Sequence, residues 1–298
     1  MDRKIHVVIN PASGKPQPIL HTLNQVFRAA GVDWDISLTK QSGDAERFAR
    51  QAAENGYAVV AAFGGDGTVM EVSRGLFGTS VPLAILPGGT ANLMAVELGI
   101  PKNLEQAATI AANPESLLRW IDAGAIGETT FLLRVGTGFP ARKVAYADRK
   151  MKDRWGLMAY TISAVKALGN SPKAAYRLTI DDREVECETP ACQVYNAGNM
   201  GTPGVTAAKN IDVSDGLLDI LALRETVLAG LLNRGAYSAE RASEEELFYH
   251  WQARKITIEA DPPQPVQVDG EVGWSTPVSV QVIPRAVSVI VQNTKEIS

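Results

Sequence analysis

Over the first 120 residues, short apolar runs alternate with longer amphipathic stretches. The apolar runs predict strands at 5–9, 34–39, 57–63 and 83–86, and the amphipathic stretches predict helices at 18–30, 44–55, 91–97 and 104–112. A further helix is expected after the glycine-rich run at 64–68. Because strand and helix in alternation form a parallel sheet with helices on its faces, we predict an α/β domain.

After residue 122 the sequence changes to short β-type runs separated by turn residues. These runs are TTFLLRVGTG, AAYRLTID, ACQVYNAGN, GLLDILAL, KITIEA, PVQVDGEV and VSVQVIP. Two helical stretches interrupt them, at about 155–168 and near 225–250, where Ser243 and Glu246 have the spacing of a capping box. Many short strands after an α/β half predict a β-sandwich as the second domain.

The chain is long enough for two domains. The change of pattern predicts a first, α/β domain over 1–125 and a second, β-rich domain over 126–285. The final segment, 286–298, contains the apolar run AVSVIVQ. The sequence leaves open whether this segment returns to the first domain.

Charge and cysteine content restrict the classes of function. The net charge of −4 gives no overall basic field, so we expect no nucleic-acid partner. The two cysteines, Cys187 and Cys192, form neither a disulfide framework nor a common zinc spacing, which favours the reducing cytoplasm. The longest apolar stretch, LMAYTISAVKAL, contains Lys166 and is shorter than the roughly 20 residues of a membrane helix. A peripheral position at the inner face of the membrane stays open.

The run FGGDGTVMEV, residues 63–72, places three glycines around Asp66 and then begins a helix. Glycines let backbone N–H groups approach a ligand, and a helix N-terminus favours anions, so the run can hold phosphate. The Asp66 carboxylate would repel phosphate, unless it binds a metal carried by the phosphates or polarises an attacking hydroxyl. A tight turn with Asp66 as its helix cap would give the same pattern.

Other predicted strands end in similar loops. AILPGGTANLMA repeats the order of strand, glycines, threonine and helix, NPASGK follows the first strand, and SGDA follows the second. The polar side chains at these tips are Asn10, Ser13, Lys15, Thr39, Thr90 and Asn92. Because neighbouring strand ends share one crevice in open α/β sheets, we expect a ligand site there. The chain has neither G-x-x-x-x-G-K-[ST] nor G-x-G-x-x-G after its first strand.

The β-rich half contains two Asp-Gly motifs. VSDGLLDI contains Asp215, and VQVDGEVG contains Asp269 followed by Glu271. Asp-Gly is typical of a hairpin turn, and each motif alone predicts only that. Glu271 ends such a turn in a strand flanked by PPQP, so we expect it to be held at a sheet corner.

A local cluster of basic residues lies in the segment ARKVAYADRKMKDRWG. Its cations are Arg142, Lys143, Arg149, Lys150, Lys152 and Arg154. With Trp155 the cluster is suited to transient contact with an anionic membrane surface, and it is equally typical of a solvated helix face.

Five motifs taken in order, NPASGK, GGDGT, PGGTAN, SDGLLD and VDGE, resemble those of the bacterial diacylglycerol kinase-like lipid kinases. That family is related to sphingosine kinases and more distantly to NAD kinases. The segment RKMKDRWGLMAY also resembles the family's basic stretch. The resemblance implies a Rossmann-like nucleotide-binding domain followed by a β-sandwich. It also implies transfer of the γ-phosphate of ATP, with Mg²⁺, to the hydroxyl of diacylglycerol or a related lipid alcohol.

The loop tips and the resemblance together indicate the residues of the site. The expected nucleotide contacts are Asn10, Lys15, Thr39, Gly64, Gly65, Asp66, Gly67, Thr68, Val69 and Thr90. The resemblance makes Glu271 the general base and Asp66 either part of a magnesium–water–carboxylate network or a rival base. It also implies a structural Mg²⁺ at Asp215, with backbone carbonyls near Asp212 and Leu217.

Two alternatives stay open. An NAD kinase shares the glycine–aspartate loop, but it follows that loop with an Asn-Glu pair, and PGGTANL contains none. A non-catalytic nucleotide-binding module that docks on membranes would need neither Asp66 nor Glu271. The sequence does not choose among lipid alcohols, since a plain stretch, MGTPGVTAAKN, replaces the glycine-rich, basic one expected after YNAGN. It also allows a homodimer.

Overall fold

The computed structural model describes residues 4–14, 17–138, 173–224 and 248–293. Lys15, the basic segment 142–154 and the stretches 155–168 and 225–247 lie outside these ranges. The chain divides into two compact units. Unit 1 comprises Met1–Ala123, Asn199–Ala207 and Pro284–Ser298, and unit 2 comprises Gly124–Gly198 and Ala208–Ile283.

Unit 1 is an α/β domain whose elements alternate along the chain. They are β1 Lys4–Ile9, α1 Ile19–Ala29, β2 Asp33–Leu38, α2 Asp44–Glu54, β3 Val59–Gly64, α3 Asp66–Leu76, β4 Leu83–Pro87, α4 Leu93–Glu97, α5 Leu104–Ala112 and the first part of β5 Leu117–Ile126. Strands β2, β1, β3 and β4 pair in parallel in that order. The strand–helix alternation in the sequence therefore predicted this half of the fold correctly.

The burial of the strands follows from their positions in the sheet. Every residue of β3 and β4 is buried, as expected for central strands of a parallel sheet with helices on both faces. Strand β2 lies at the edge and is largely exposed. Helix α1 buries Leu23 and Phe27, four positions apart, which is the spacing of one helix face.

Helices α2 and α3 pack tightly against each other, and Gly75 on α3 lies at their contact. A Cβ atom at Gly75 would lie 2.3 Å from the Glu46 carbonyl oxygen and 2.8 Å from the Ala49 Cβ. Both distances are shorter than van der Waals contact, and the nearer atom belongs to backbone that cannot rotate away. A side chain at position 75 therefore forces the two helices apart.

Gly75→Ala is expected to lower the free energy of unfolding by about 2 to 3 kcal/mol, since overpacking outweighs the better helix propensity of alanine. Urea unfolding followed by circular dichroism measures the change. Gly67→Ala is the matched control on α3, because nothing lies within 4 Å of its Cβ position. An equal loss of stability in both variants would contradict the packing explanation.

Unit 2 is an antiparallel β-sandwich. It contains the end of β5, then β6 Thr129–Phe131, β7 Arg134–Gly138, β8 Ala174–Ile180, β9 Arg183–Thr189, β10 Ala191–Tyr195, β11 Leu218–Leu223, β12 Phe248–Ala253, β13 Lys255–Asp261, β14 Pro265–Val268, β15 Glu271–Ser275 and the start of β16 Val278–Val291. One sheet has the order β12-β11-β10-β7-β14-β15. In the other layer, β13 pairs with β8 and β16, and β8 pairs with β9.

The core of the sandwich comes from inward-facing apolar residues on both layers. Phe131, Tyr176, Leu178, Ile220 and Ile256 belong to one buried cluster. This arrangement confirms the predicted β-sandwich. Residues 248–250 were expected to be helical, and that expectation was wrong. They begin β12, where pairing with β11 and the stacking of Tyr249 on Trp251 favour the extended form.

Strand β16 takes part in both units. Its first part pairs with β13, Lys255 opposite Gln281, and Val289 lies opposite Leu83 of β4. The backbone has a left-handed φ of 51° at Arg285, whose N–H donates to Asp122 Oδ1 at 2.6 Å. In the parts of the chain described, no helix has the length and apolar character needed to cross a membrane.

Candidate active site

The loops that follow β1, β3 and β4 are in direct contact with one another. A Cβ atom at Gly14 would lie 1.8 Å from the Gly88 carbonyl oxygen, and one at Gly89 would lie 2.5 Å from the Gly65 Cα. The N–H groups of Gly88 and Gly89 both donate to the Gly64 carbonyl, at 2.8 and 3.1 Å. The glycines are therefore required because the three backbones approach too closely for any side chain.

Asn10 joins the first loop to the start of α3. Its Nδ2 donates to Thr68 Oγ1 at 3.1 Å, and its Oδ1 accepts from the Ala12 N–H at 3.0 Å. Its own N–H donates to the Phe63 carbonyl at the end of β3. Thr68 is buried, with 7% of its surface exposed. Asn10 and Thr68 thus hold the two loops in register.

The start of α3 presents backbone donors. The first hydrogen bond inside the helix runs from the Val69 N–H to the Gly65 carbonyl, and the Val69 side chain is buried. The N–H groups of Gly67 and Thr68 precede that bond, so the helix offers them no acceptor. Gly67 is exposed and has open space above its Cα. This edge of the loop is suited to receiving an anion.

The Asp66 carboxylate is held by the start of α4, just after the second glycine loop. Its Oδ1 accepts from the Met94 N–H at 3.2 Å. Burial raises the pKa of the Asp66 carboxyl above its ordinary value, and the N–H groups of Met94, Leu93 and Asn92 oppose that rise. A carboxylate with a raised pKa and a fixed position is suited to accepting a proton or holding a cation.

The second glycine loop is closed by Asn92. Its Nδ2 donates to the Gly89 carbonyl and its Oδ1 accepts from the Gly89 N–H, both at 2.9 Å. Asn92 has a left-handed φ of 51°, which asparagine tolerates better than most residues. Thr90 lies at the tip of this loop with its side chain exposed, so its hydroxyl is accessible to a ligand.

The loop that carries Thr39 is attached to α3 through Glu71. The Glu71 carboxylate accepts from Ser42 Oγ at 3.1 Å and from the Ala45 N–H at 3.2 Å. Thr39 is half-buried, and its N–H donates to the Ile9 carbonyl. Glu71 lies within the run FGGDGTVMEV, and no role was predicted for it from the sequence. The acidic residue one turn after the glycine run was the only available signal.

In unit 2, Asp269 and Gly270 form a two-residue turn between β14 and β15. Their φ angles are 45° and 100°, and Val268 lies opposite Glu271, which confirms the predicted hairpin. The Asp269 carboxylate accepts from the N–H groups of Leu132, Leu133 and Arg134 at 3.0, 3.1 and 2.8 Å. Glu271 follows this anchored turn on the edge strand β15, with its side chain exposed.

Asp269 gives unit 2 a pH-dependent stability. Burial raises its pKa from 3.8 to about 6, against the backbone N–H groups that lower it. The folded state then binds the proton more tightly than the unfolded chain. The contribution of protonated Asp269 to the free energy of unfolding is therefore complete below pH 3.8, and it is lost as the pH rises through about 6.

We expect the free energy of unfolding of the wild type, measured against Asp269→Asn, to fall by about 2 kcal/mol between pH 4 and pH 6.5. Denaturant titrations of both proteins across this range give the difference. A difference that is constant or that grows with pH would contradict the assigned pKa.

The predicted metal residues lie in the loop before β11. Asp212 Oδ1 accepts from the Ser214 N–H, and Asp215 Oδ1 accepts from the Leu217 N–H. Both carboxylates are exposed oxygen donors, the type that Mg²⁺ prefers. Within the described ranges, no group of three or more His, Cys, Asp and Glu side chains is placed to hold a metal. A cation here would therefore depend on backbone carbonyls and water.

The pair of Asp219 and His250 was not predicted from the sequence. Asp219 is buried, and its Oδ1 lies 2.7 Å from His250 Nε2 across the β11–β12 pair. Burial raises the pKa of the Asp219 carboxyl, and the hydrogen bond to His250 opposes the rise. The only signal in the sequence was one aspartate inside the apolar run LLDIL.

Two domain families cover these two halves. The diacylglycerol kinase catalytic domain matches residues 4–123, and the YegS C-terminal NAD kinase beta sandwich-like domain matches residues 134–291. The chain belongs to the diacylglycerol kinase-like family. This confirms the resemblance carried by the five motifs. Membership in this kinase family implies the use of a nucleotide and supports a lipid kinase.

Similar proteins extend over almost the whole length of this diacylglycerol kinase-like chain. "Uncharacterized protein sll0036" of Synechocystis is 31% identical over 95% of this chain and 69% of its own length. "Putative lipid kinase SH2167" of Staphylococcus haemolyticus is 28% identical over 86% of this chain and 84% of its own. A crystal structure of a diacylglycerol kinase from Bacillus anthracis str. Sterne is 26% identical, with a TM-score of 0.76 and 98% of each chain covered.

Proposed function

We propose that this chain transfers the γ-phosphoryl group of ATP to the hydroxyl of diacylglycerol or a related lipid alcohol. The observation that carries the proposal is the contact of three glycine loops beside Asp66, whose carboxylate is bound by the start of α4 just after the second loop. Phosphoryl transfer requires mainly positioning and charge neutralisation. Fixed backbone donors beside a fixed carboxylate supply both.

Unit 1 binds the phosphate groups of the nucleotide. The N–H groups at the start of α3 donate hydrogen bonds to phosphate oxygens. The exposed hydroxyl of Thr90 donates to them from the second loop. Thr39 contacts the nucleotide from its own loop, which Glu71 positions. Asn10 and Thr68 act indirectly, by keeping the loops in register.

The carboxylates of Asp66 and Glu271 have different roles. Asp66 would hold a Mg²⁺ ion bound with the nucleotide, and that ion would neutralise charge on the phosphoryl group. Glu271 accepts the proton of the lipid hydroxyl as the new bond to phosphorus forms. The turn anchored by Asp269 fixes the position of Glu271 within unit 2. A second Mg²⁺ at Asp212, Asp215 and the Leu217 carbonyl would stabilise the loop before β11.

A lipid acceptor implies that the protein acts at a membrane surface. The acceptor would be drawn from the inner face of the membrane during transient contact, with the protein otherwise in the cytoplasm. Binding of the protein to vesicles that contain anionic lipid, measured by sedimentation at low and high salt, tests this contact.

The test of function is transfer of labelled γ-phosphate from Mg-ATP into a mixed panel of acceptors. The panel contains diacylglycerol, phosphatidylglycerol, a sphingoid base and undecaprenol in detergent micelles, with NAD in the aqueous phase. We expect label in a lipid. Label only in the dinucleotide would support an NAD kinase, and nucleotide binding without any transfer would support a non-catalytic module.

A further inference from the structure

Residues Asn199–Ala207 leave unit 2 and belong to unit 1. We name them the crossing segment. Its ends meet in a bridge between Asn199 and Thr206, and the Met200 N–H donates to the Val205 carbonyl at 2.9 Å. The crossing segment is therefore a closed loop with its own hydrogen bonds, in the place where the sequence showed only a plain stretch.

Helix α4 holds the crossing segment through two contacts. Glu97 Oε2 accepts from the Asn199 N–H at 2.7 Å, a charge-assisted hydrogen bond. Gly201, with a φ of 90°, lies against Leu93, and a Cβ atom there would come within 3.1 Å of Leu93 Cδ2. Both contacts fix the segment on α4.

The same short helix also binds Asp66. The Asp66 carboxylate accepts from the Met94 N–H at the start of α4, and Glu97 is the last residue of α4. At 1.5 Å per residue, α4 is about 7 Å long. The contact with the crossing segment and the contact with Asp66 therefore lie within about 7 Å of each other along α4. Asp66 is the carboxylate proposed to act on the phosphoryl group.

The chemistry of the crossing segment favours an uncharged ligand. Its sequence, NMGTPGVTA, contains no charged side chain, and Thr202, Pro203, Gly204 and Thr206 are exposed. Its anchor on α4 is the Glu97 carboxylate. Hydroxyl and apolar groups beside carboxylates can bind a neutral alcohol. An anionic phosphodiester would need a cationic partner, and the crossing segment contains none.

We propose that the crossing segment recognises the lipid acceptor, that it selects an uncharged lipid alcohol over an anionic phospholipid, and that Glu97 is its positioning residue. The proposal rests on the proposed function for the identity of the ligand. The attachment of the segment by Glu97 does not depend on catalysis, so it can be tested separately.

The first test is limited proteolysis with thermolysin, which cuts before apolar residues such as Met200 and Val205. Glu97→Ala is expected to speed cleavage within the crossing segment about tenfold, since local opening exposes the backbone. Glu97→Gln keeps an oxygen acceptor and should be cleaved at nearly the wild-type rate. Glu105→Ala, a matched exposed glutamate on α5, is the control. Cleavage of Glu97→Ala at the wild-type rate would overturn the positioning role.

The second test is kinetic, with diacylglycerol and phosphatidylglycerol as separate acceptors. Glu97→Ala should raise the KM for diacylglycerol about tenfold, the effect of one charge-assisted hydrogen bond, with the KM for ATP unchanged. The wild type should prefer diacylglycerol. Faster transfer to phosphatidylglycerol, or an equal rise in both KM values, overturns the recognition role. If the wild type phosphorylates no lipid, the recognition role and the proposed function fail together, while proteolysis still decides the role of Glu97.

Discussion

Asp66→Asn is expected to lower kcat/KM for phosphoryl transfer to lipid by about a thousandfold. Asparagine is nearly the same size, and its oxygen can still accept the Met94 N–H, so the loops should stay in place. What the variant loses is the negative charge that would hold the cation or take the proton. Nucleotide affinity without metal should change little, because the N–H groups at the start of α3 are intact.

The control for this variant is Asp33→Asn. Asp33 is an exposed aspartate at the amino end of β2, whereas Asp66 follows the carboxyl end of β3. The control should keep wild-type activity and stability. Asp66→Asn with more than half of the wild-type rate would show that the glycine loop has no catalytic carboxylate.

Glu271→Gln is expected to reduce turnover about 100- to 10,000-fold, the usual effect of removing a general base, while ATP still binds. Glu271 is exposed, so the substitution should leave the free energy of unfolding almost unchanged.

Glu184→Gln, at an exposed glutamate on β9, is the matched control for this variant. If Asp66→Asn loses turnover and Glu271→Gln loses less than tenfold, Asp66 is the base and Glu271 has another role. Full activity of Glu271→Gln would exclude Glu271 from the reaction.

The sequence predicted unit 1 well because its signals are local. A strand expected at 5–9 is β1, Lys4–Ile9, and a helix expected at 44–55 is α2, Asp44–Glu54. Apolar periodicity and glycine-rich ends act within one element, so a single sequence contains them. The turn at Asp269 was likewise predicted from two adjacent residues.

Contacts between distant residues were not predictable. The hydrogen bond from the Leu132 N–H to Asp269 spans 137 positions, and the bond from the Asn199 N–H to Glu97 spans 102. Neither has a local pattern, because the partner of a polar side chain depends on the completed fold. Strand β9, REVECET, was missed for a local reason, because Val185 and Cys187 alternate with glutamates, a residue type depleted in strands, and form no apolar run.

Lipid kinase activity is tested by the product formed from diacylglycerol and ATP labelled with ¹⁸O in its γ-phosphate. Mass spectrometry of the lipid and nucleotide fractions follows the label. We expect phosphorylated diacylglycerol that carries the labelled phosphoryl oxygens, formed in equal amount with ADP and about a thousandfold more slowly with Asp66→Asn. Label found only in inorganic phosphate or in a dinucleotide, with no phosphorylated lipid, would contradict it.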